Sequence, residues 1–135
     1  MSSQENLRLA TRFLEKLGSG AGADEIAALC SPDLVWNIPG DTGVLPWVGL
    51  KHGRQAMYDF VVDTQTMIKR EGLEIEDILT SDARAVILGH LKTRIVDTGK
   101  LIDGKFGIVL TFTGEFISSF LMLEDSFAIS TAARP

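Results

Sequence analysis

The chain has 135 residues, of which 45% are hydrophobic and 23% charged, with a formal net charge of −5. This length and composition predict one globular domain, residues 1–135, built around a single core. The acidic balance and the scattered Lys and Arg residues argue against a nucleic-acid partner, which requires a basic surface. A membrane is not expected as a partner either, because no apolar run is long enough to span a bilayer. The N-terminus lacks the pattern of a signal peptide, and the single cysteine, Cys30, fits a reducing compartment, so we predict a cytoplasmic protein.

The first half of the chain has the pattern of three helices and one strand. Ser2 and Glu5 have the spacing of a capping box, and apolar residues then recur at helical spacing. The loop at 41–51 is rich in apolar residues, which predicts that it folds back over an apolar surface. The predicted elements are helices over Gln4–Leu17, Asp24–Leu29 and Gly53–Arg70, and a strand over Asp33–Ile38.

After Gly72 the apolar period changes from about 3.6 residues to about 2, which indicates strands. Turn residues separate the strands, and short connections predict antiparallel neighbours. Asp125 and Ser126 can begin a short final helix that runs through Ala132. Helices followed by a strand meander predict an α+β fold, with a curved sheet wrapped around the helices. The predicted strands are Leu73–Thr80, Ala83–Val96, Gly104–Thr113 and Glu115–Glu124.

The longest predicted strand, Ala83–Val96, has two distinct faces. One face carries His90, Lys92 and Arg94, and the other is largely apolar and includes Ile87, Leu91 and Ile95. Two interpretations are open at this point. Either the basic face looks into a pocket, or it is solvated while the apolar face forms the core.

Four short segments resemble one family. They are W-N-I-P-G at 36–40, L-P-W-V-G at 45–49, H-G-R-Q-A-M at 52–57 and L-E-D-S-F-A at 123–128. With the order of elements, they resemble the nuclear transport factor 2-like superfamily, in its SnoaL-like and ketosteroid-isomerase-like branch. The resemblance implies a cone-shaped barrel made of a curved, mostly antiparallel sheet around three N-terminal helices, enclosing an apolar pocket. It also implies a homodimer formed through the outer sheet face. Members of this family isomerise steroids, cyclise polyketides, dehydrate or open epoxides, and some only bind ligands.

The catalytic acids of two known mechanisms in this family have no counterpart here. The positions used by the steroid isomerases fall on Phe13, Ile38 and Ile108, which are all apolar. The epoxide hydrolases use an Arg-x-Asp pair, which falls on His90 and Lys92. Their last acid falls on Met122, although their asparagine is matched by Asn37. Neither mechanism is therefore expected in this chain.

Three residues remain as candidates for acid–base chemistry. A histidine side chain can pass a proton in either direction, so His90 is the candidate proton carrier, with Glu124 as its partner and Asn37 as a donor to a developing oxyanion. The alternative for Asn37 is that it only ends its strand. Trp36 and Asn37 point to opposite faces, so at most one of them lines the pocket. The candidate wall residues are Trp36, Trp47, Phe13, Phe60, Lys92, Ile108, Leu110, Phe120 and Met122.

No cofactor and no metal is predicted, because the chain has no metal-ligand spacing and no phosphate-binding loop after a strand. Three functions are compatible with these observations. The first is a cofactor-free isomerase, cyclase or dehydratase that acts on a small hydrophobic molecule. The second is a protein that binds such a molecule without chemistry. The third is an association module that uses its outer sheet face.

Overall fold

The structure, a computed structural model, describes residues 2–135. Across this range the chain forms four helices and six strands. No helix among these residues has the length and apolar character needed to cross a membrane. The helices are α1 (Ser3–Gly18), α2 (Ala23–Ala27), α3 (Gln55–Met67) and α4 (Ser126–Ala133). The strands are β1 (Cys30–Ile38), β2 (Gly49–His52), β3 (Ile68–Thr80), β4 (Arg84–Ile95), β5 (Leu101–Thr113) and β6 (Phe116–Leu123).

The six strands form one open sheet in the order β2-β1-β6-β5-β4-β3. All neighbouring strands are antiparallel except β1 and β6, which are parallel. Most buried apolar residues of α1, α2 and α3 and of the inner sheet face belong to one hydrophobic cluster. The predicted α+β fold, with a curved and mostly antiparallel sheet wrapped around the N-terminal helices, is therefore confirmed.

The predicted caps of the first and last helices are also present. The Ser2 hydroxyl accepts a hydrogen bond from the Glu5 backbone N–H at 3.1 Å. The Asp125 carboxylate accepts one from the Ala128 N–H at 3.0 Å. Each bond satisfies a backbone donor that the first turn of a helix leaves without an intrahelical partner.

The third helix is shorter than the sequence pattern predicts. It ends at Met67, and the next three residues open β3 instead of closing the helix. In the sheet Ile68 lies opposite Ile95, and Arg70 lies opposite Thr93. Long-range pairing with β4 supplies backbone hydrogen bonds that helical propensity alone cannot anticipate.

Other boundaries also differ from the prediction. The second helix begins at Ala23, after Gly22 as its N-cap, and β1 and β5 begin earlier than predicted, at Cys30 and Leu101. The apolar loop contains a short strand, β2, which starts at Gly49 with a φ of 120° and pairs with the end of β1. A positive φ of this kind favours glycine, and it turns the loop back along β1.

Aromatic side chains form the centre of the core. Trp36 stacks on Phe120 with ring centroids 4.5 Å apart and an interplanar angle of 11°. Phe13 of α1 meets Phe120 edge to face at 6.1 Å. All three side chains are buried, and they join α1, β1 and β6.

Helix α4 is held against the end of the sheet by polar contacts at both of its sides. Asp41, in the β1–β2 loop, accepts hydrogen bonds from the Ser130 hydroxyl at 2.7 Å and from the Arg134 guanidinium at 2.5 Å. These bonds, with one from the Gly43 N–H, lower the pKa of Asp41 to about 2. The Thr98 hydroxyl donates to the Ala132 carbonyl at 2.6 Å. Helix α4 is thereby joined both to the loop at 41–48 and to the β4–β5 turn.

Candidate active site

Two adjoining cavities lie between the inner face of the sheet and helices α1, α3 and α4. We call them the acid chamber, of about 90 Å³, and the apolar chamber, of about 140 Å³. They share one wall, since five residues line both of them: Phe60, Arg70, Leu91, Thr93 and Met122. Apart from these shared residues, the acid chamber is lined by Leu45, Trp47, Thr64, Ile68, Ile95, Ile102, Glu124 and Ile129. The apolar chamber is further lined by Leu14, Leu17, Gly72, Leu73, Ile75, Phe106, Ile108 and Phe120.

Glu124 is the carboxyl group of the acid chamber. It directly follows β6 and precedes Asp125, whose capping bond fixes the start of α4. Glu124 has the same parity as Phe120 and Met122, which also face inward. Its side chain forms no hydrogen bond or ion pair with another residue between 2 and 135. Burial among apolar neighbours raises the pKa of Glu124 from 4.5 to about 7.

A carboxyl group with a pKa near 7 is present in both protonation states at neutral pH. It can therefore take a proton from a bound molecule and return it without a large free-energy penalty. Desolvated carboxyls of this kind are concentrated at functional sites, although buried structural groups also show raised pKa values. The position of Glu124 in a cavity, rather than in a filled core, favours the functional interpretation.

Arg70 lies at the junction of the two chambers. It also borders a third cavity, of about 190 Å³, beside α2 and α3. A β-bulge follows it, in which Arg70 lies opposite Thr93 and Gly72 lies opposite Lys92, so that Glu71 is the extra residue. The Glu71 carboxylate pairs with Arg94. Arg70 as a whole is exposed, yet burial of its guanidinium against the pocket wall lowers its pKa.

Aromatic rings close the acid chamber on the side of the β1–β2 loop. Trp47 and Phe60 meet edge to face, with ring centroids 5.9 Å apart. The Trp36 indole N–H donates to the Trp47 carbonyl at 2.9 Å, which fixes the loop from behind. The expectation that the apolar loop folds over an apolar surface is confirmed, because Leu45 and Trp47 both line the chamber.

The structure places the sequence-predicted site residues in three groups. Six of them line the chambers: Trp47, Phe60, Ile108, Phe120, Met122 and Glu124. Three are buried in the core without lining either chamber: Phe13, Trp36 and Leu110. The remaining three, Asn37, His90 and Lys92, lie on the outer face of the sheet.

The interpretation that the basic face of β4 looks into the pocket is wrong. The pocket-lining residues of β4 are Leu91, Thr93 and Ile95, whereas His90 and Lys92 pair with Asp103 of β5 on the opposite face. The alternative, a solvated basic face, is the one observed. The physical reason is that the charges of Lys92 and Asp103 keep part of their hydration on the exposed outer face, while the apolar face is buried.

Gly89 shows how tightly the inner face of β4 is packed. A Cβ atom at this position would lie 2.5 Å from the Glu74 carbonyl oxygen and 2.6 Å from the Phe106 ring. The absent side chain thus leaves room for the Phe106 ring, which also lines the apolar chamber.

Asn37 lies in an outer row that crosses all six strands. The row runs through residues paired from strand to strand: Leu79, Val86, Val109, Leu121, Asn37 and Leu50. Asn37 therefore cannot donate a hydrogen bond to a molecule in either chamber. Trp36 points inward, as the opposite parity of the two residues requires.

Two polar groups of the pocket, Arg70 and Thr93, were not anticipated from the sequence. Arg70 was assigned to the end of a helix, so its inward direction on a strand could not be anticipated. Thr93 lies opposite Arg70 on the face of β4 that the pattern identified as core, and its hydroxyl has no hydrogen-bond partner within residues 2–135. Over the same residues, no group of three or more His, Cys, Asp or Glu side chains is arranged to hold a metal ion.

The model of the SnoaL-like domain family matches residues 10–120 of the chain. The chain belongs to the SnoaL-like family. No curated protein matches this SnoaL-like protein in sequence.

Solved structures share its fold along nearly the whole chain. An NTF2-like protein from Burkholderia xenovorans LB400 is 20% identical, with 99% of each chain covered and a TM-score of 0.85. A protein from Jannaschia sp. CCS1, named for the SnoaL-like polyketide cyclases, is 12% identical, with 98% of this chain and 95% of that chain covered and a TM-score of 0.76. TerC, co-crystallized with polyporic acid, is 16% identical, with coverages of 96% and 98% and a TM-score of 0.77. At these identities the likeness establishes the fold alone.

Proposed function

We propose that this SnoaL-like protein is a cofactor-free enzyme that transfers a proton within a small, mostly apolar molecule. Glu124 is the general acid and base. The observation that carries this proposal is a single desolvated carboxyl in a mostly apolar chamber. His90, the proton carrier expected from the sequence, has no part in it because it lies on the outer face.

One carboxyl can perform a complete reaction if it takes a proton and gives it back. In the ionised state, Glu124 accepts a proton from a carbon next to a carbonyl group, and the electron pair of the C–H bond moves to form an enolate. If the molecule has a double bond next to that carbon, the enolate is conjugated with it, and an isomerase returns the proton to the far end of the double bond, which moves into conjugation with the carbonyl group. A cyclase instead forms a C–C bond from the enolate to a second carbonyl, and the proton goes to the resulting alkoxide. Both reactions balance without a second acid.

The hydroxyl of Thr93 supports this role because it lines both chambers and is not engaged with another described residue. A free hydroxyl can donate to the enolate oxygen as negative charge develops there. Isomerisation or ring closure suits a single shuttling carboxyl better than dehydration, which is commonly assisted by a separate acid at the departing hydroxyl. The polyketide cyclase name of the Jannaschia structure agrees with this class of chemistry.

A test of the proposal does not need the natural substrate. A thermal-shift screen of steroids, terpenes and polyketide-like aromatics first identifies binders that carry an enolisable carbonyl. Proton NMR in D₂O then follows the exchange of their carbon-bound hydrogens, with Glu124→Gln as the test variant and His90→Ala as the control. We expect Glu124→Gln to slow exchange by at least about 100-fold, while His90→Ala leaves it unchanged. Equal exchange by the wild type and Glu124→Gln would contradict the proposal.

A second candidate function is ligand binding without chemistry. The observation that favours it is the scarcity of reactive groups, since Glu124 is the one carboxyl among the residues that line the two chambers. The same screen separates the two functions, because a binding protein would hold the ligands without exchanging their hydrogens.

We also propose that two copies pair through the outer sheet face. The outer row contains apolar side chains, and the neighbouring Leu88 and Leu123 are 40% and 49% exposed. Exposed apolar side chains this close together are typical of an interface. A second copy would cover them as a symmetric dimer covers a self-complementary surface.

A further inference from the structure

Building on the proposed function of the same pocket, we propose that its ligand carries an anionic oxygen that Arg70 binds, while its apolar body fills the apolar chamber. The ligand class is a small aromatic or alicyclic molecule with a carboxylate, an acidic enol or a phenolate. Arg70 would thus select the substrate and orient it toward Glu124.

The first support is that Arg70 has no counter-charge. Three of the other six arginines have a carboxylate within reach: Arg94 with Glu71, Arg134 with Asp41 and Arg8 with Glu115. No ion pair or side-chain hydrogen bond joins Arg70 to another residue of the described range. A guanidinium turned toward a pocket without a partner loses hydration that a bound anion would replace.

The two charged groups of the pocket also do not neutralise each other. Arg70 and Glu124 both line the acid chamber, but they do not form an ion pair. Burial is the cause of the raised pKa of Glu124. The positive charge at the junction is therefore available to a ligand, and the carboxyl is available for proton transfer.

The second support is position. Arg70 lies where the two chambers meet, directly opposite Thr93 in the sheet. An anionic oxygen held there leaves the rest of the molecule in the apolar chamber, between the rings of Phe106 and Phe120. The end of the molecule that carries this oxygen is then next to the acid chamber, which Glu124 lines. Arg70 is well suited to this role because a guanidinium can bind a carboxylate through two parallel hydrogen bonds.

The test compares two probes that differ only in charge, 2-naphthoate and its neutral amide 2-naphthamide. Their affinities are measured by isothermal titration calorimetry for the wild type, Arg70→Gln and the control Arg84→Gln. Arg84 is exposed at the start of β4 and lines neither chamber, so its replacement removes the same charge outside the pocket. The titrations are run about one pH unit below the pKa of Glu124, so that its carboxyl is mostly neutral and does not repel the anion.

We expect the wild type and Arg84→Gln to bind naphthoate at least about tenfold more tightly than naphthamide. In Arg70→Gln this preference should fall to within about twofold, with the affinity for naphthamide retained. Equal binding of the two probes by the wild type, or no binding of naphthoate, would overturn the proposal. It would also be overturned if Arg70→Gln kept the preference or lost both ligands, because Arg70 would then shape the pocket without recognising charge.

Glu124→Gln distinguishes this proposal from the proposed catalytic role. The variant should keep the preference for naphthoate, since its side chain is neutral and Arg70 is intact. Charge-selective binding with no hydrogen exchange would retain the anion site and reject the enzyme. Hydrogen exchange without charge-selective binding would retain the enzyme and reject the anion site.

Discussion

Replacing Glu124 by glutamine should change how the stability of the protein depends on pH. Burial raises the pKa of this carboxyl from 4.5 to about 7, so the folded protein binds a proton more tightly than the unfolded chain does. The neutral carboxyl contributes its full stability below about pH 4.5, and this stability is lost as the pH rises through about 7. At about 1.4 kcal/mol for each pKa unit, the ionised carboxyl lowers the free energy of unfolding by about 3 kcal/mol above that range.

The assay is urea unfolding of the wild type and Glu124→Gln from about pH 5 to about pH 9, at one protein concentration. Glutamine stays neutral, so the free energy of unfolding of the variant should rise relative to that of the wild type as the pH increases, by up to about 3 kcal/mol across the range. Glu15→Gln, on the exposed side of α1, serves as the control and should follow the wild type. A difference between Glu124→Gln and the wild type that stays constant with pH would refute the desolvation of this carboxyl.

Three further changes test the packing, the α4 contacts and the proposed dimer. Gly89→Ala should lower the free energy of unfolding by at least about 2 kcal/mol, because the new Cβ would meet backbone and a ring that cannot both move away. Gly104→Ala, at a position with open space, should change it by less than about 1 kcal/mol in the same urea titration. Asp41→Asn should lower the thermal midpoint at neutral pH. This effect should be lost as the pH falls from about 4 through about 2, because the carboxyl group of the folded wild type becomes protonated there. An equal difference in thermal midpoint at neutral pH and at about pH 2 would contradict the bonds of Asp41 to α4. Leu88→Asp should convert a dimer to a monomer in light scattering, whereas a wild type that is already monomeric would contradict the proposed pairing.

Most of the fold was predicted from the spacing of apolar residues and from helix-capping residues. The cap residues Ser2 and Asp125 were correctly identified because their effect is local and depends on the next three residues. The switch to a period of 2 after Gly72 located the meander. The predicted end of α3 was wrong because the residues from Ile68 onward pair with β4, which is distant in sequence.

The candidate site was predicted only in part, for a reason that lies in the strand itself. Both faces of β4 carry apolar residues near its start, and alternation alone does not reveal which face is inside. That choice is made by its neighbours: Phe106 packs over Gly89 on the inner face, and Asp103 attracts His90 on the outer one. Glu124 was correctly placed with the inward residues of β6, because it has the parity of Met122 and lines the acid chamber with it.

The proposed role of Glu124 requires a desolvated carboxyl that can exchange a proton near neutrality. The measurement that checks this is ¹³C NMR of side-chain carboxyl carbons as a function of pH, with the Glu124 signal assigned by its absence in Glu124→Gln. We expect a titration midpoint of about 7 for the Glu124 carboxyl. A midpoint near the ordinary glutamate value of about 4.5 would contradict it, because the carboxyl would then be hydrated and a poor proton shuttle at neutral pH.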